Sequence, residues 1–488
     1  MSDTRPNFLV IMTDQQRADS VSLDTAGWTP HLASFAREAV NLSQTYCPSP
    51  HCCPSRATFF TGLYPSRHGV WNNVLNQHAL SRGPRPGVRQ WSTSLATAGY
   101  DLHFSGKWHV DADSDPEDHG WTEHHTSAAH GQDHHGPKWD FYEKLAREPA
   151  SSGPRPPGLI RRPGYGDQRI YETLPSGGKM VHDDDAFAGA LRALEQVKNG
   201  AKPWMLYAGF IGPHDPYAVP PEWLAKIPDF ACELPPSYAD DLRDKPVIYQ
   251  RLREQLWDQL SPNEVREARR HYLAYCAYTD HLLGRLLAKL DSIGQRENTI
   301  VIFLSDHGDY AGDHGLFCKG IAGFRAAYHV PCYVRWPAGK LATGTTQEAL
   351  VSLADFGPTF LELAGLPVPA FGFTGRSLVP VLRSVTPADW RDALVTQCNG
   401  VELAYTQRIV FTKEWKYIYN GFDRDELYDL VNDPHEMTNL AARPEHRDVV
   451  RAMCRRLWKF ARAEGDELLS NYFTIGLAPF GPAEAFRD

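Results

Sequence analysis

The 488-residue sequence has little cysteine: nine residues, an odd number. That density excludes a disulfide-stapled scaffold. No apolar run approaches the ~20 residues of a membrane span. No internal repeat or low-complexity tract is present. Positive charge is also in deficit. Fifty Lys and Arg face 59 Asp and Glu, a net charge of −9. A nucleic-acid partner finds no overall electrostatic support in that balance. Met1–Asn7 carries no basic region followed by an apolar stretch and a small-residue cleavage site, so no secretory leader is expected. The expectation is a cytoplasmic chain with reduced thiols and neither a nucleic-acid nor a membrane partner.

What remains is ordinary globular composition, 42% hydrophobic and 22% charged. Three short apolar runs read as buried strands: Phe8–Met12, Trp204–Ile211 and Ile300–Leu304. Continuous apolar runs separated by helical segments indicate an α/β fold, a mostly parallel sheet covered on both faces. A helix is expected over about Pro262–Asp291. Ser261 and Glu264 form a capping box before it, and Gly294 is its stop. A strand pair over 408–419 and a helix over about 444–464 form a smaller α+β unit. The boundaries are 1–384 for the larger unit and 385–488 for the smaller one. Residues 145–182, rich in Pro and Gly, read equally well as a lid or as a surface insertion.

The most informative segment is His51-Cys52-Cys53-Pro54-Ser55-Arg56, continuing to Thr61-Gly62. Pro54 suits the first turn of a helix, which puts Cys52 at its N-terminal mouth. Backbone N–H groups and the helix dipole favour an anion there. Arg56 lies one turn up on the same face. Cys47, Cys52 and Cys53 lack the further ligands of a zinc site, and Cys47 and Cys53 read as buried thiols. Asp14-Gln15 and Asp306-His307 close two of the strands, where open α/β sheets gather ligands. Together they offer oxygen and nitrogen donors to a hard divalent cation. Lys107 and His109 sit on one face of an expected strand, with Trp108 opposite. His214 follows another strand, and Lys319 follows the third. The histidines between His119 and His135 read as a solvated loop at the entrance.

The Cys-x-Pro-Ser-Arg run with its Thr-Gly resembles the sulfatase family, as do Gly106-Lys107-Trp108-His109 and Glu426–Asp429. The resemblance covers about residues 6–441. It implies an alkaline-phosphatase-like α/β fold and hydrolysis of sulfate monoesters. It also implies that Cys52 is converted to Cα-formylglycine by a maturation partner. One hydroxyl of the hydrated aldehyde would attack sulfur, and the second would later expel sulfate. Asp14, Gln15, Cys52, Asp306 and His307 would hold one divalent cation. Calcium is the expected ion, and manganese the alternative. Arg56, Lys107 and Lys319 would neutralise the sulfate oxygens, and His109 and His214 would move protons. Gln15 and His307 replace the Asp and Asn of many members. They resemble the pairs of phosphonate monoester hydrolases and of many bacterial sulfatases alike, so they do not decide the substrate, and phosphonate or phosphodiester hydrolysis is the alternative activity. A small sulfate ester is the expected partner. The apolar tail after Asn471 leaves a homo-oligomer open.

Overall fold

The structure, a computed structural model, describes residues 5–76, 79–128, 139–147, 153–162, 164–369, 372–400 and 403–487. Eight strands form the central sheet: β1 (Asn7–Thr13), β2 (Val40–Leu42), β3 (Asp101–Lys107), β4 (Thr122–Ser127), β5 (Trp204–Gly209), β6 (Thr299–Ser305), β7 (Cys332–Arg335) and β8 (Thr346–Gln347). Their spatial order is β8-β2-β7-β6-β1-β5-β3-β4. β7 runs antiparallel to both of its neighbours, and every other pairing is parallel. β1 is buried at all of its positions, as its unbroken apolar run requires of a central strand.

The main helices are α1 (Cys52–Thr61), α2 (Val181–Val197), α3 (Pro262–Ser292), α4 (Phe356–Leu363) and α5 (Arg447–Glu464). Alternation along β3 shows the layering. Phe104 packs on Phe60 of α1, while Ser105 Oγ donates to the Ala186 carbonyl of α2 at 2.7 Å. α3 begins with the Ser261–Glu264 capping box. Gly106 has φ +123°, and a Cβ there would lie 1.9 Å from the Gly209 carbonyl oxygen. Only glycine lets β3 run so close to β5 where Lys107 leaves the sheet.

Two expectations change. The histidine-rich stretch is not an entrance loop at its centre. Thr122–Ser127 is the edge strand β4, and His124 Nε2 lies 3.0 Å from His103 Nδ1. His130, His134 and His135 lie outside the described residues. The described parts of 145–182 are fastened to the body. Arg155 pairs with Glu264 at 2.6 Å, Gly158 N–H donates to the same carboxylate, and Tyr171–Thr173 pairs in parallel with Tyr217–Val219.

The C-terminal unit is an antiparallel sheet of β9 (Leu394–Cys398), β10 (Gln407–Phe411), β11 (Trp415–Asn420) and β12 (Glu426–Asp429). Its two faces bury different partners. Ile409, Phe411 and Ile418 join the main core, whereas Val410, Tyr417 and Tyr419 pack with Leu457 and Trp458 of α5. The tail docks on its own chain, where Trp458 Nε1–H donates to the Phe480 carbonyl at 2.7 Å. Arg408 and Asp466, both fully buried, form a two-pronged ion pair at 2.6 and 2.9 Å that ties β10 to the turn after α5.

Removing one partner of such a pair leaves the other charge buried. Asp466→Ala should lower the unfolding free energy by about 3–5 kcal/mol. Urea denaturation measures this, and a loss below ~1 kcal/mol, the value of a surface pair, would contradict it.

Candidate active site

The parallel register of β1 and β6 sets Thr13 opposite Ser305, so Asp14 and Asp306 leave adjacent strand ends side by side. Both are fully buried. The first residue of α1 is Cys52, also buried, and Ser55 Oγ donates to the Asp306 carbonyl at 2.5 Å, pinning the helix start to the strand end. Cys52 Sγ lies 3.7 Å from Asp14 Oδ1 and 3.2 Å from His307 Nε2. Donor atoms of Asp14, Cys52, Asp306 and His307 all fall within 4.8 Å of one another.

His307 tests whether this cluster suits a cation. Its Nδ1 lies 2.9 Å from the Gly308 carbonyl oxygen, which can only accept. Nδ1 therefore carries a proton, and Nε2 is the nitrogen turned toward two carboxylates and a sulfur. Two carboxylates, a sulfur and a ring nitrogen converging within 4.8 Å form a donor set that a cation can bridge. A carbonyl that fixes the opposite ring nitrogen is the usual support for a metal-bound histidine. The donor set fits a divalent metal.

Arg56 departs from its expected role. It is fully buried. Nε donates to Asp306 Oδ2 at 2.8 Å and Nη2 to Asp14 Oδ2 at 3.1 Å. Nη1 is taken by the Lys107 carbonyl and by Tyr207 Oη. With its donors committed inward, Arg56 holds the two carboxylates together rather than facing a sulfate oxygen.

Lys107 Nζ donates to Asp14 Oδ2 at 2.5 Å. Lys319 Nζ reaches Gln15 Oε1 at 2.5 Å and His214 Nε2 at 2.8 Å. His109 and His214 both hydrogen-bond to Cys52. Burial pushes the Cys52 thiol up, yet Lys107, Lys319, His307 and the His109 hydrogen bond bring it well below the usual thiol range. The sulfur occupies the place of the oxygens that a hydrated formylglycine would carry, so its surroundings report how well an oxyanion is held there. Burial, reinforced by Lys107, lowers His109 to about 4. Burial and Cys52 raise Asp14, but Lys107, His214 and Arg56 together hold it well below the carboxylate range. Asp306 is raised, by burial first and then by Asp14.

Gln15 brings residues that motif reading missed. Its amide nitrogen donates to Asp215 Oδ1 at 3.0 Å and to Asp309 Oδ2. Tyr217 Oη donates to the same Asp309 oxygen at 2.6 Å. With the nitrogen fixed by two carboxylates, the amide oxygen must face Lys319, and its second lone pair remains available to a cation. Asp309 follows His307 by two residues, and that Asp-His-Gly-Asp spacing was the available signal.

These residues border a cavity of about 620 Å³. Cys52, His109, His214 and Lys319 line its floor. Among the described residues, no other group of three or more His, Cys, Asp and Glu side chains could hold a metal ion.

The sulfatase family pattern matches residues 6–366, about three quarters of the chain. The chain belongs to the sulfatase family. It is a sulfuric ester hydrolase with the alkaline-phosphatase-like fold. A second pattern, N-sulphoglucosamine sulphohydrolase, C-terminal, matches residues 312–463. The chain is 29% identical to an uncharacterised sulfatase of Escherichia coli, over 89% of this chain and 83% of that one. It is also 29% identical to the choline-sulfatase of Rhizobium meliloti, over 91% and 84%. The phosphonate monoester hydrolase of Agrobacterium radiobacter shares the fold: TM-score 0.74 and 23% identity over 94% of this sulfatase and 96% of that chain. Among the described residues no helix is long and apolar enough to cross a membrane.

Gln15→Asp restores the acidic pair of many sulfatases but sets a third carboxylate against Asp215 and Asp309. It should lower stability by about 3 kcal/mol, the scale of an uncompensated buried charge. Asp309→Asn in the same chain supplies an amide donor and should recover most of that loss. Thermal unfolding of the single and double variants measures the coupling, and strict additivity would refute it.

Proposed function

We propose that this sulfatase cleaves sulfate monoesters through a formylglycine made from Cys52, with one divalent cation held by Asp14, Gln15, Cys52, Asp306 and His307. Calcium is the ion proposed, and manganese is the competitor that the His307 nitrogen favours. The observation that carries the reading is the convergence of Lys107, Lys319, His307 and His109 on the Cys52 sulfur, which lowers its pKa despite full burial. A site that stabilises an anion there also stabilises the attacking oxygen and the charge that grows on sulfate. When bound, the cation polarises the sulfate oxygen and the nucleophile together.

The chain's own groups divide the remaining work. Arg56 keeps the two buried carboxylates at ligand distance from each other. Lys107, tied to Asp14, and Lys319, tied to Gln15, present fixed positive charge to the sulfate group. His109, lowered to about 4, is neutral near pH 7 and can take the proton from the hydroxyl whose collapse releases sulfate. His214 Nε2 lies 2.8 Å from Lys319 Nζ, and this pair can supply the proton that the departing alcohol oxygen takes. The apolar and aromatic surroundings of α1 exclude water from the paired charges, which strengthens each interaction.

The second reading keeps this machinery and changes the ester. Gln15 and His307 resemble the pairs of phosphonate monoester hydrolases and of many bacterial sulfatases alike, so phosphonate or phosphodiester cleavage is the alternative. The proposed site also implies a maturation partner that converts Cys52.

Intact mass of enzyme made in a formylglycine-forming host should be about 18 Da below the encoded mass. Cys52→Ala should retain the fold and lose at least about 10³-fold in kcat, the scale of a missing nucleophile. Active enzyme that keeps a thiol at Cys52 would refute the nucleophile. A kcat/KM for phenyl phosphonate monoesters several orders of magnitude above that for aryl sulfates would select the second reading.

A further inference from the structure

The loop that carries His214 leaves β5 after Gly209, and one buried carboxylate from another element holds it. Asp183, in the first turn of α2, is 1% exposed. Its Oδ1 accepts the Ile211 N–H at 2.6 Å. Its Oδ2 accepts the Gly212 N–H at 3.0 Å and the Tyr275 hydroxyl at 2.9 Å. Gly212 is held at its other end too, where its carbonyl accepts the Asp14 N–H at 3.3 Å. A Cβ at Gly212 would lie 2.3 Å from the Tyr275 ring, so only glycine lets the loop rest on that ring. Two residues on, the His214 N–H closes a turn onto the Ile211 carbonyl at 2.9 Å. His214 Nδ1 donates to the Asp215 carbonyl at 2.7 Å, which turns Nε2 toward Lys319 Nζ at 2.8 Å.

We propose that Asp183 is a positioning residue for proton donation: by holding the Ile211–His214 turn, it sets His214 Nε2 beside Lys319, where the departing alcohol oxygen takes its proton. The inference rests on the proton supply by His214 and Lys319 proposed above and deepens it. Packing of α2 alone does not call for a carboxylate here. Burial pushes Asp183 up to about 6, so its three hydrogen bonds offset only part of the penalty of burying it. A neutral amide of the same shape would avoid that penalty. It would also bring two N–H donors to a place where three donors already converge. A carboxylate accepts all three, and the turn passes its position on to His214. As the S–O bond breaks, its electron pair goes to the alcohol oxygen, and the His214–Lys319 pair supplies the proton that oxygen takes. A strongly acidic alcohol can leave as the anion, whereas a weakly acidic one depends on the proton. Displacing His214 therefore penalises esters of weakly acidic alcohols selectively.

Phenyl sulfate and 4-nitrophenyl sulfate test this, because 4-nitrophenol is much the stronger acid. In mature full-length enzyme, Asp183→Asn should lower kcat/KM at least about tenfold further for phenyl sulfate than for 4-nitrophenyl sulfate, part of the ~10²–10⁴ that a positioned acid contributes. Tyr275→Phe keeps the ring against Gly212 and removes one donor from Asp183. It should move the same ratio in the same direction by about threefold, the scale of one hydrogen bond. In a His214→Ala background, Asp183→Asn should leave the ratio where His214→Ala has put it, since no acid remains to be positioned. Equal losses on the two esters, as from a weakened fold or a displaced Asp14, would overturn the assignment. So would additive effects of Asp183→Asn and His214→Ala on the ratio. If Asp183→Asn does not fold, Tyr275→Phe decides, and an unchanged ratio there overturns the proposal. A His214→Ala enzyme with the wild-type ratio would instead remove the proton-supply reading, and the role of Asp183 with it.

Discussion

Asp14 and Asp306 stand beside each other with no solvent, and the rest of the molecule is arranged so that they can. Two buried carboxylates at adjacent strand ends repel, and each resists losing its hydration. Arg56 answers both demands with one rigid fork, donating to both side chains. Lys107 adds a second positive charge on Asp14 from the next strand but one. The arginine is itself fixed by Tyr207 and by the Lys107 carbonyl, so strands β1, β3, β5 and β6 and helix α1 meet at a single charged knot. Weakening any member shifts the geometry of a cation site and the helix start that carries the nucleophile.

This knot explains why the fold has to be so regular beneath it. The parallel pairing of β1 with β6 advances residue by residue, so one register error would carry Asp306 to the opposite face. Gly106 lets β3 approach β5 closely just where Lys107 must swing inward. Phe59, Phe60, Trp91 and Phe104 fill the layer between α1 and the sheet. Close packing of that layer turns a hydrogen-bonding requirement into a fixed position for Cys52.

Much of this was legible in the chain, for local reasons. The central strands announce themselves as unbroken apolar runs ending at Asp14 and Asp306, and Ser261 with Glu264 marks the start of α3. The helix that opens at Cys52 follows from its flanking motif. What the sequence hides depends on distant partners. Spacing puts Arg56 on the face of Cys52 but cannot say that two strand ends reach it first. Gln15 looks like a weakened acidic ligand until Asp215 and Asp309 arrive from other segments to orient its amide. Thr122–Ser127 is polar because it lies at the sheet edge, so its alternation is too weak to separate from a loop. Trp257 and Phe317 resemble any core aromatics in one dimension, and only the fold turns them toward the cavity.

The C-terminal unit is more than a buttress. Cys398 Sγ, at the end of β9, lies 3.0 Å from Tyr405 Oη, and Tyr405 together with Leu403 borders the cavity. Gln397, one residue earlier, accepts from Ser66 N–H and donates to Asp466, the buried partner of Arg408. One short chain of bonds thus joins the segment after α1, the small sheet and one wall of the site. The inner face of that sheet packs into the main core through Ile409, Phe411 and Ile418, so the wall cannot shift without disturbing both. The floor of the cavity is fixed by charge and its upper wall by packing.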